Sequence, residues 1–153
     1  MNQGYYSQPT LSDTHIAFIS DDDLWLVGRA GGVAQRLTAN RGLISSPCFS
    51  PDGKWLAFLS NEVGAEPDVY LMPATGGEAV RLTWLGVARI TGWKDNENLY
   101  FISNVEGYPG RETHLFELNV RNHEFKKLNL GPGSYYKQGP GFQVLARFSG
   151  DPA

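Results

Sequence analysis

The stretch Ser45–Asn61, SSPCFSPDGKWLAFLSN, decides the fold. A polar start runs into Pro51-Asp52-Gly53. The chain then alternates, with Trp55, Ala57 and Leu59 on one side and Leu56, Phe58 and Ser60 on the other. Proline fixes φ at the first central position of a turn, and glycine accepts the positive φ that closes it. Apolar runs on both sides of such a turn form an antiparallel pair. The stretch is a hairpin, and the fold depends on whether it is repeated.

It is repeated. Arg36-Leu37-Thr38 recurs 45 residues on as Arg81-Leu82-Thr83, and Gly31-Gly32 recurs at the same spacing as Gly76-Gly77. DLWLVGRAGGVAQRLT (Asp23–Thr38) aligns without a gap on DVYLMPATGGEAVRLT (Asp68–Thr83), and THLFELNVRNHEFKKL (Thr113–Leu128) is a weaker third copy. A partner segment precedes each: THIAFIS (Thr14–Ser20), KWLAFLS (Lys54–Ser60) and ENLYFIS (Glu97–Ser103). A period in the mid-forties with four short strands per unit is the signature of a β-propeller.

The expected fold is therefore all-β: blades of four antiparallel strands, about three blades plus the start of a fourth, half of a six-bladed propeller. The units are expected near residues 5–40, 41–85 and 86–130, with 131–153 opening the fourth. In the middle unit the strands fall around Ser46–Ser50, Lys54–Asn61, Asp68–Pro73 and Ala79–Trp84. The glycine pairs make the turn between the last two strands. In the third unit VRNHE stands there instead, and Asn122 is the residue best able to take a left-handed conformation. Past Leu128 the pattern loosens through GPGSYYKQGPG, and FQVLARFS (Phe142–Ser149) reads as a strand of the fourth unit.

Composition narrows the function. A net charge of −3 over 153 residues carries no basic footprint for nucleic acid. Lysines and arginines form no run that would hold an anionic membrane surface, and no segment approaches the roughly 18 apolar residues of a membrane span. Cys48 is the single cysteine, which excludes an internal disulfide and a Cys-rich zinc site. Its apolar, strand-like surroundings predict a buried, inert thiol. The N-terminus has no positive region followed by an apolar core, so a cytoplasmic location is expected. Three blades leave open flanks. Either the chain is part of a longer protein or copies assemble into a closed ring.

The candidate reactive residues read mostly as architecture. Ser20–Trp25, SDDDLW, lacks the glycine-assisted ligand spacing of a calcium loop and reads as a turn. His15, His114 and His123 are too dispersed for a two-histidine metal site. No metal or cofactor is expected. No G-x-S-x-G pentad occurs. Ser20, Ser60 and Ser103 recur at matching repeat positions, as architectural residues do. Trp25, Tyr70 and Phe116 also match one another and predict a core between blades. No catalytic residue is expected in the chain. Because the innermost strand of each blade lines the axial channel, Arg89, Ser46 and Thr91 are the candidate channel-lining residues. Arg89 would offer a positive charge to an acidic or C-terminal carboxylate group, or else is a solvated surface arginine.

The repeats resemble the PD40 type, carried here by Pro51-Asp52 in FSPDGKWLAF and found in TolB-like periplasmic propellers and in several peptidases. The opening Gly4–Phe58 resembles the start of tricorn-type proteases, with its DDLW strand, and RETHLFEL (Arg111–Leu118) and LNLGP (Leu128–Pro132) are similar to that family. The resemblance covers nearly the whole chain. It implies a large cytoplasmic serine peptidase that trims peptides, assembles as a hexamer and carries its catalytic core elsewhere. This chain would form the first three blades of the N-terminal six-bladed propeller and guide peptides to and from that core. The alternatives are a TolB-like module that binds proteins, or a half-propeller that pairs with a second copy.

Overall fold

The computed structural model describes residues 5–105 and 112–147. Strands β1 (Ser7–Leu11), β2 (His15–Ser20), β3 (Asp23–Gly28) and β4 (Gln35–Arg36) form the first sheet. The second holds β5 (Ile44–Phe49), β6 (Trp55–Ser60), β7 (Asp68–Pro73) and β8 (Val80–Arg81). The third holds β9 (Arg89–Trp93), β10 (Asn98–Ser103), β11 (His114–Asn119) and β12 (Phe125–Lys127). A two-stranded sheet follows, β13 (Tyr135–Gly139) with β14 (Phe142–Ala146). In every sheet the strands lie side by side in chain order and run antiparallel. No helix occurs among the described residues. The chain is all-β, built of propeller blades.

The hairpin read first from the sequence forms as its residues require. The Gly53 N–H donates to the Ser50 carbonyl at 2.9 Å, and Gly53 takes φ +70°. Asp52 caps the turn: its Oδ1 accepts from the Ser50 hydroxyl at 2.6 Å and from the Lys54 N–H at 3.1 Å.

Packing follows from strand alternation. One face of the first sheet, Ala17, Ile19, Leu24 and Leu26, packs on Phe58 and Tyr70 of the second. The opposite face of the second, Ala57, Leu59, Val69 and Leu71, packs on Phe101 and Phe116 of the third. In each case an aliphatic face covers a stacked aromatic pair, with Phe58–Tyr70 centroids 5.8 Å apart and Phe101–Phe116 centroids 5.2 Å apart. The third sheet meets the last hairpin through Tyr100, Ile102, Leu115 and Tyr136.

Four expectations need correction. The fourth strands are two or three residues long, shorter than Ala79–Trp84. In the first two sheets a threonine ends the ladder, because its hydroxyl accepts an N–H of the preceding strand: Leu24 to Thr38 Oγ1 at 2.9 Å and Val69 to Thr83 Oγ1 at 3.0 Å. In the third sheet His123, not Asn122, takes the left-handed conformation, at φ +62°. Asn119 Oδ1 caps the Arg121 and Asn122 N–H groups, and the His123 N–H reaches the Asn119 carbonyl, which moves the bend one residue on.

The loosened Gly- and Pro-rich segment contains the well-formed strand β13, and Gly141 at φ +76° turns it into β14. Residues 148 and 149 of FQVLARFS lie outside the described residues, as do Gly4 and Arg111. Finally, Trp25 is only half-buried, whereas Tyr70 and Phe116 are buried. No described sheet covers the Phe18 and Trp25 face of the first blade.

Candidate functional site

The first strands of successive sheets come together, β1 against β5, β5 against β9 and β9 against β13. They share a local irregularity. In β1 the three steps from Ser7 to Thr10 oppose two steps of β2, and in β5 the three steps from Ser45 to Cys48 oppose two of β6. In β9, Gly92 faces Tyr100 and Ile90 faces Phe101, which leaves Thr91 as the extra residue. Such bulges bend a strand and re-aim its side chains. Gln8 and Ser46, each just before a proline, take φ +49° and +50°, which non-glycine residues seldom adopt. The Ser46 N–H thereby reaches Gln8 Oε1 of the neighbouring blade at 2.7 Å.

All three channel candidates from the sequence lie on these first strands. Ser46 sits in the β5 bulge. Thr91 sits in the β9 bulge, with its hydroxyl 3.4 Å from the Tyr100 carbonyl. Arg89 opens β9, and its guanidinium lies 5.9 Å from the centre of the Tyr135 ring, a cation–π contact. SQPTL, ISSPCF, RITGW and YYKQG together hold no acidic residue, and their only charges are Arg89 and Lys137.

At the turn end of the same strands lies a cavity of about 470 Å³. Phe49, Trp93, Tyr100 and Tyr136 supply its aromatic wall, and Thr10, Ser12, Ser50 and Thr91 supply hydroxyls. The Trp93 indole N–H donates to the Cys48 carbonyl at 3.2 Å, which fixes that ring across two blades. Cys48 lines the cavity and is half-buried, short of the full burial expected. Burial still pushes its thiol up to about 11, against a smaller opposing effect of the Lys137 charge. It is a thiol at neutral pH and no nucleophile.

The repeated motif has a structural use that the sequence reading missed. The Asp68 carboxylate accepts from Arg81 Nη2 at 2.5 Å, the Thr83 hydroxyl at 2.8 Å, and the Leu85 and Gly86 N–H groups at 3.0 and 3.2 Å. Burial alone would raise the Asp68 carboxyl. These donors outweigh it and hold the group below its ordinary value. Asp23 meets Arg36 and Thr38 in the same way in the first sheet. The signal was present, since Asp, Arg and Thr each recur 45 residues apart.

The recurring serines are also structural. Ser60 donates to the Arg41 carbonyl, and Ser103 to the Gly86 carbonyl at 2.5 Å. Asp21 and Asp22 both take positive φ between the paired residues Ser20 and Asp23, a tight two-residue hairpin turn. No group of three or more metal-ligating side chains occurs among the described residues.

The sequence profile of the family described as the tricorn protease N-terminal beta propeller domain matches residues 3–147. The chain belongs to that family. It is 28% identical over 152 residues to a putative tricorn-like protease N-terminal subunit from Sulfurisphaera tokodaii, covering 95% of this chain and 76% of that one. It is 41% identical over 92 residues to putative tricorn protease homolog 2 from Streptomyces coelicolor, covering 58% of this chain but only 8% of the larger protein. The crystal structure of the tricorn protease superposes with a TM-score of 0.79 at 24% identity, over 93% of this chain and 15% of that one. TolB propellers share the fold too: putative TolB from Agrobacterium tumefaciens has a TM-score of 0.73 at 19% identity, over 87% of this chain and 48% of that one.

Proposed function

We propose that this tricorn-type propeller segment guides peptide substrates or products to and from a serine-peptidase core that this chain does not contain. The observation that carries the reading is the set of first strands. They pack against one another in succession, carry polar side chains and backbone bulges, and hold no acidic group. Short strands on a packed sheet stack make a rigid wall, and a narrow channel along it passes an extended peptide while excluding a folded protein. A cytoplasmic location and a homo-oligomeric assembly belong to the same proposal.

The test places a photo-crosslinking benzoylphenylalanine at Thr91 and, as a control, at the exposed Val33, then offers the full chain peptides of eight to twelve residues. Crosslinks at Thr91 and none at Val33 are expected. Equal labelling at the two positions overturns the reading. Crosslinking of intact folded proteins at Thr91 would favour the TolB-like binding module, which the TolB fold similarity supports.

A further inference from the structure

We propose that the cavity at the turn end of the first strands is a subsite for an aromatic side chain of a passing peptide, with the Trp93 indole as its platform. The inference rests on the peptide-guiding reading and names the residue type that the wall selects.

The third blade departs from the repeat at this place. One cross-strand row pairs Thr10 with Ala17 in the first blade, Cys48 with Ala57 in the second and Gly92 with Tyr100 in the third. The next row pairs Leu11 with Ile16, Phe49 with Leu56 and Trp93 with Leu99. Two blades thus keep an alanine where the third has tyrosine, and the third alone brings in glycine and tryptophan. Gly92, Trp93 and Tyr100 all line the cavity. A glycine inside a strand weakens it and marks a place where another group approaches closely. Gly92 takes φ +146°, a conformation that keeps the position bare of a side chain. Apart from its chain neighbours, no heavy atom stands within 4 Å of the place a Cβ of residue 92 would take. The chain itself leaves that opening unfilled.

The tryptophan beside the opening is held ready. Trp93 is half-buried, and the bond from its indole N–H to the Cys48 carbonyl at 3.2 Å keeps the ring in one orientation without a ligand. Tyr100 and Tyr136 in the same wall meet edge to face, with ring centres 5.0 Å apart. Aromatic rings prefer such edge-on and offset arrangements, and pairing them is worth more than the area they bury. The cavity volume of about 470 Å³ lies within the roughly 300–1,000 Å³ of small-ligand sites and admits one ring with the backbone that carries it. The charged lining is mixed in sign, Asp13 and Arg29 from the first blade and Lys137 from β13. The contact that discriminates between peptides is therefore the ring.

Calorimetric titration of the full chain with N-acetyl-Ala-Phe-Ala-amide, and with its analogue carrying cyclohexylalanine in place of phenylalanine, tests the site. Both peptides are neutral and capped, and they differ only in the aromaticity of one ring. About threefold or more tighter binding of the phenylalanine peptide is expected. Trp93→Phe should keep that preference and Trp93→Leu should lose it, while Trp55→Leu, at an exposed tryptophan outside the cavity, should leave it unchanged. Circular dichroism checks that each variant is folded. Should Trp93→Leu not fold, the comparison of the two peptides on the native chain decides by itself. Equal affinity for the two peptides, a preference that survives in folded Trp93→Leu, or no binding of either at millimolar concentration overturns the subsite. Crosslinking at Thr91 that is indifferent to the aromatic content of the peptide would also overturn it, while leaving the guiding role in place.

Discussion

The first two blades and the third secure their outer corners with different chemistry. In blades one and two a buried aspartate opens the third strand and is met by an arginine and a threonine from the fourth. In the third blade the matching positions hold His114, Lys127 and Asn129. Its buried carboxylate is Glu117, where the other blades have Leu26 and Leu71. Glu117 pairs with Lys94 at 3.1 Å and Lys126 at 3.7 Å, both substantially exposed. The difference lies in what each carboxylate holds. Asp68 binds the Leu85 and Gly86 N–H groups, which lead into the third blade, so it ties one blade to the next. Glu117 binds only exposed lysine side chains on its own sheet. The joint to the fourth unit is held instead by Thr113, whose hydroxyl donates to the Gly133 carbonyl and whose carbonyl accepts the Gly133 N–H, and by the packing of Tyr136.

The junctions differ in the same direction, and this gives the largest effect. Phe58 lies fully buried under the first blade, and Phe58→Ala should cost about 3–5 kcal/mol. Trp25 occupies the matching cross-strand row on the open face of the first blade. Trp25→Ala should cost less than half as much, because part of its surface already meets water. Urea unfolding of both variants measures the contrast. Equal losses would mean that another surface covers the first blade in solution.

The aspartate lock comes next. Asp68→Ala strands the Arg81 guanidinium, the Thr83 hydroxyl and two backbone N–H groups. A loss of about 3 kcal/mol is expected, near the lower end for broken buried pairs because Arg81 keeps some contact with water. His114→Ala, at the corresponding place in the third blade, should stay within about 0.5 kcal/mol. The lock also sets a pH dependence. The folded Asp68 carboxyl is held below its unfolded value of about 3.9. Its contribution is therefore complete above that value and is lost as pH falls through the lower folded one. Thermal melts between pH 6 and pH 3 should be steeper in pH for the native chain than for Asp68→Asn. Parallel curves would remove Asp68 from the acid response.

How much of this was legible follows from where the repeat was strict. Identical spacing of the glycine pairs and of Arg-Leu-Thr gave the strands of the first two blades, and Asp68–Pro73 was placed to the residue. The Asp–Arg–Thr contact was implicit in that spacing, but a one-dimensional repeat does not say which recurring residues touch. The third blade was read less well because its copy had lost those residues. His123 took the left-handed position through capping by Asn119, a contact that residue preferences alone do not reveal. Strand β13 was hidden by its glycines and prolines. Its pairing with β14 and the packing of Tyr136 on Tyr100, with ring centres 5.0 Å apart, override that composition. The cavity could not be read at all, since it is assembled from four first strands spread over more than a hundred residues.

The smallest predicted effect tests whether the third blade is only a weaker version of the other two. Glu117→Gln keeps the shape of the side chain and removes its charge. If Glu117 worked as Asp68 does, the change would cost several kcal/mol. Its partners are lysines whose side chains are 42% and 67% exposed, and ion pairs of that kind contribute about 0–1 kcal/mol. A loss of about 1 kcal/mol or less is therefore expected in low salt. It should shrink further in 0.5 M sodium chloride, because salt screens exposed partners far more than buried ones. The Asp68→Ala loss should persist in the same salt. A large, salt-resistant loss in Glu117→Gln would show that the carboxylate is sealed from solvent. The third blade would then carry a buried ion-pair lock of its own, placed within its sheet rather than at its joint.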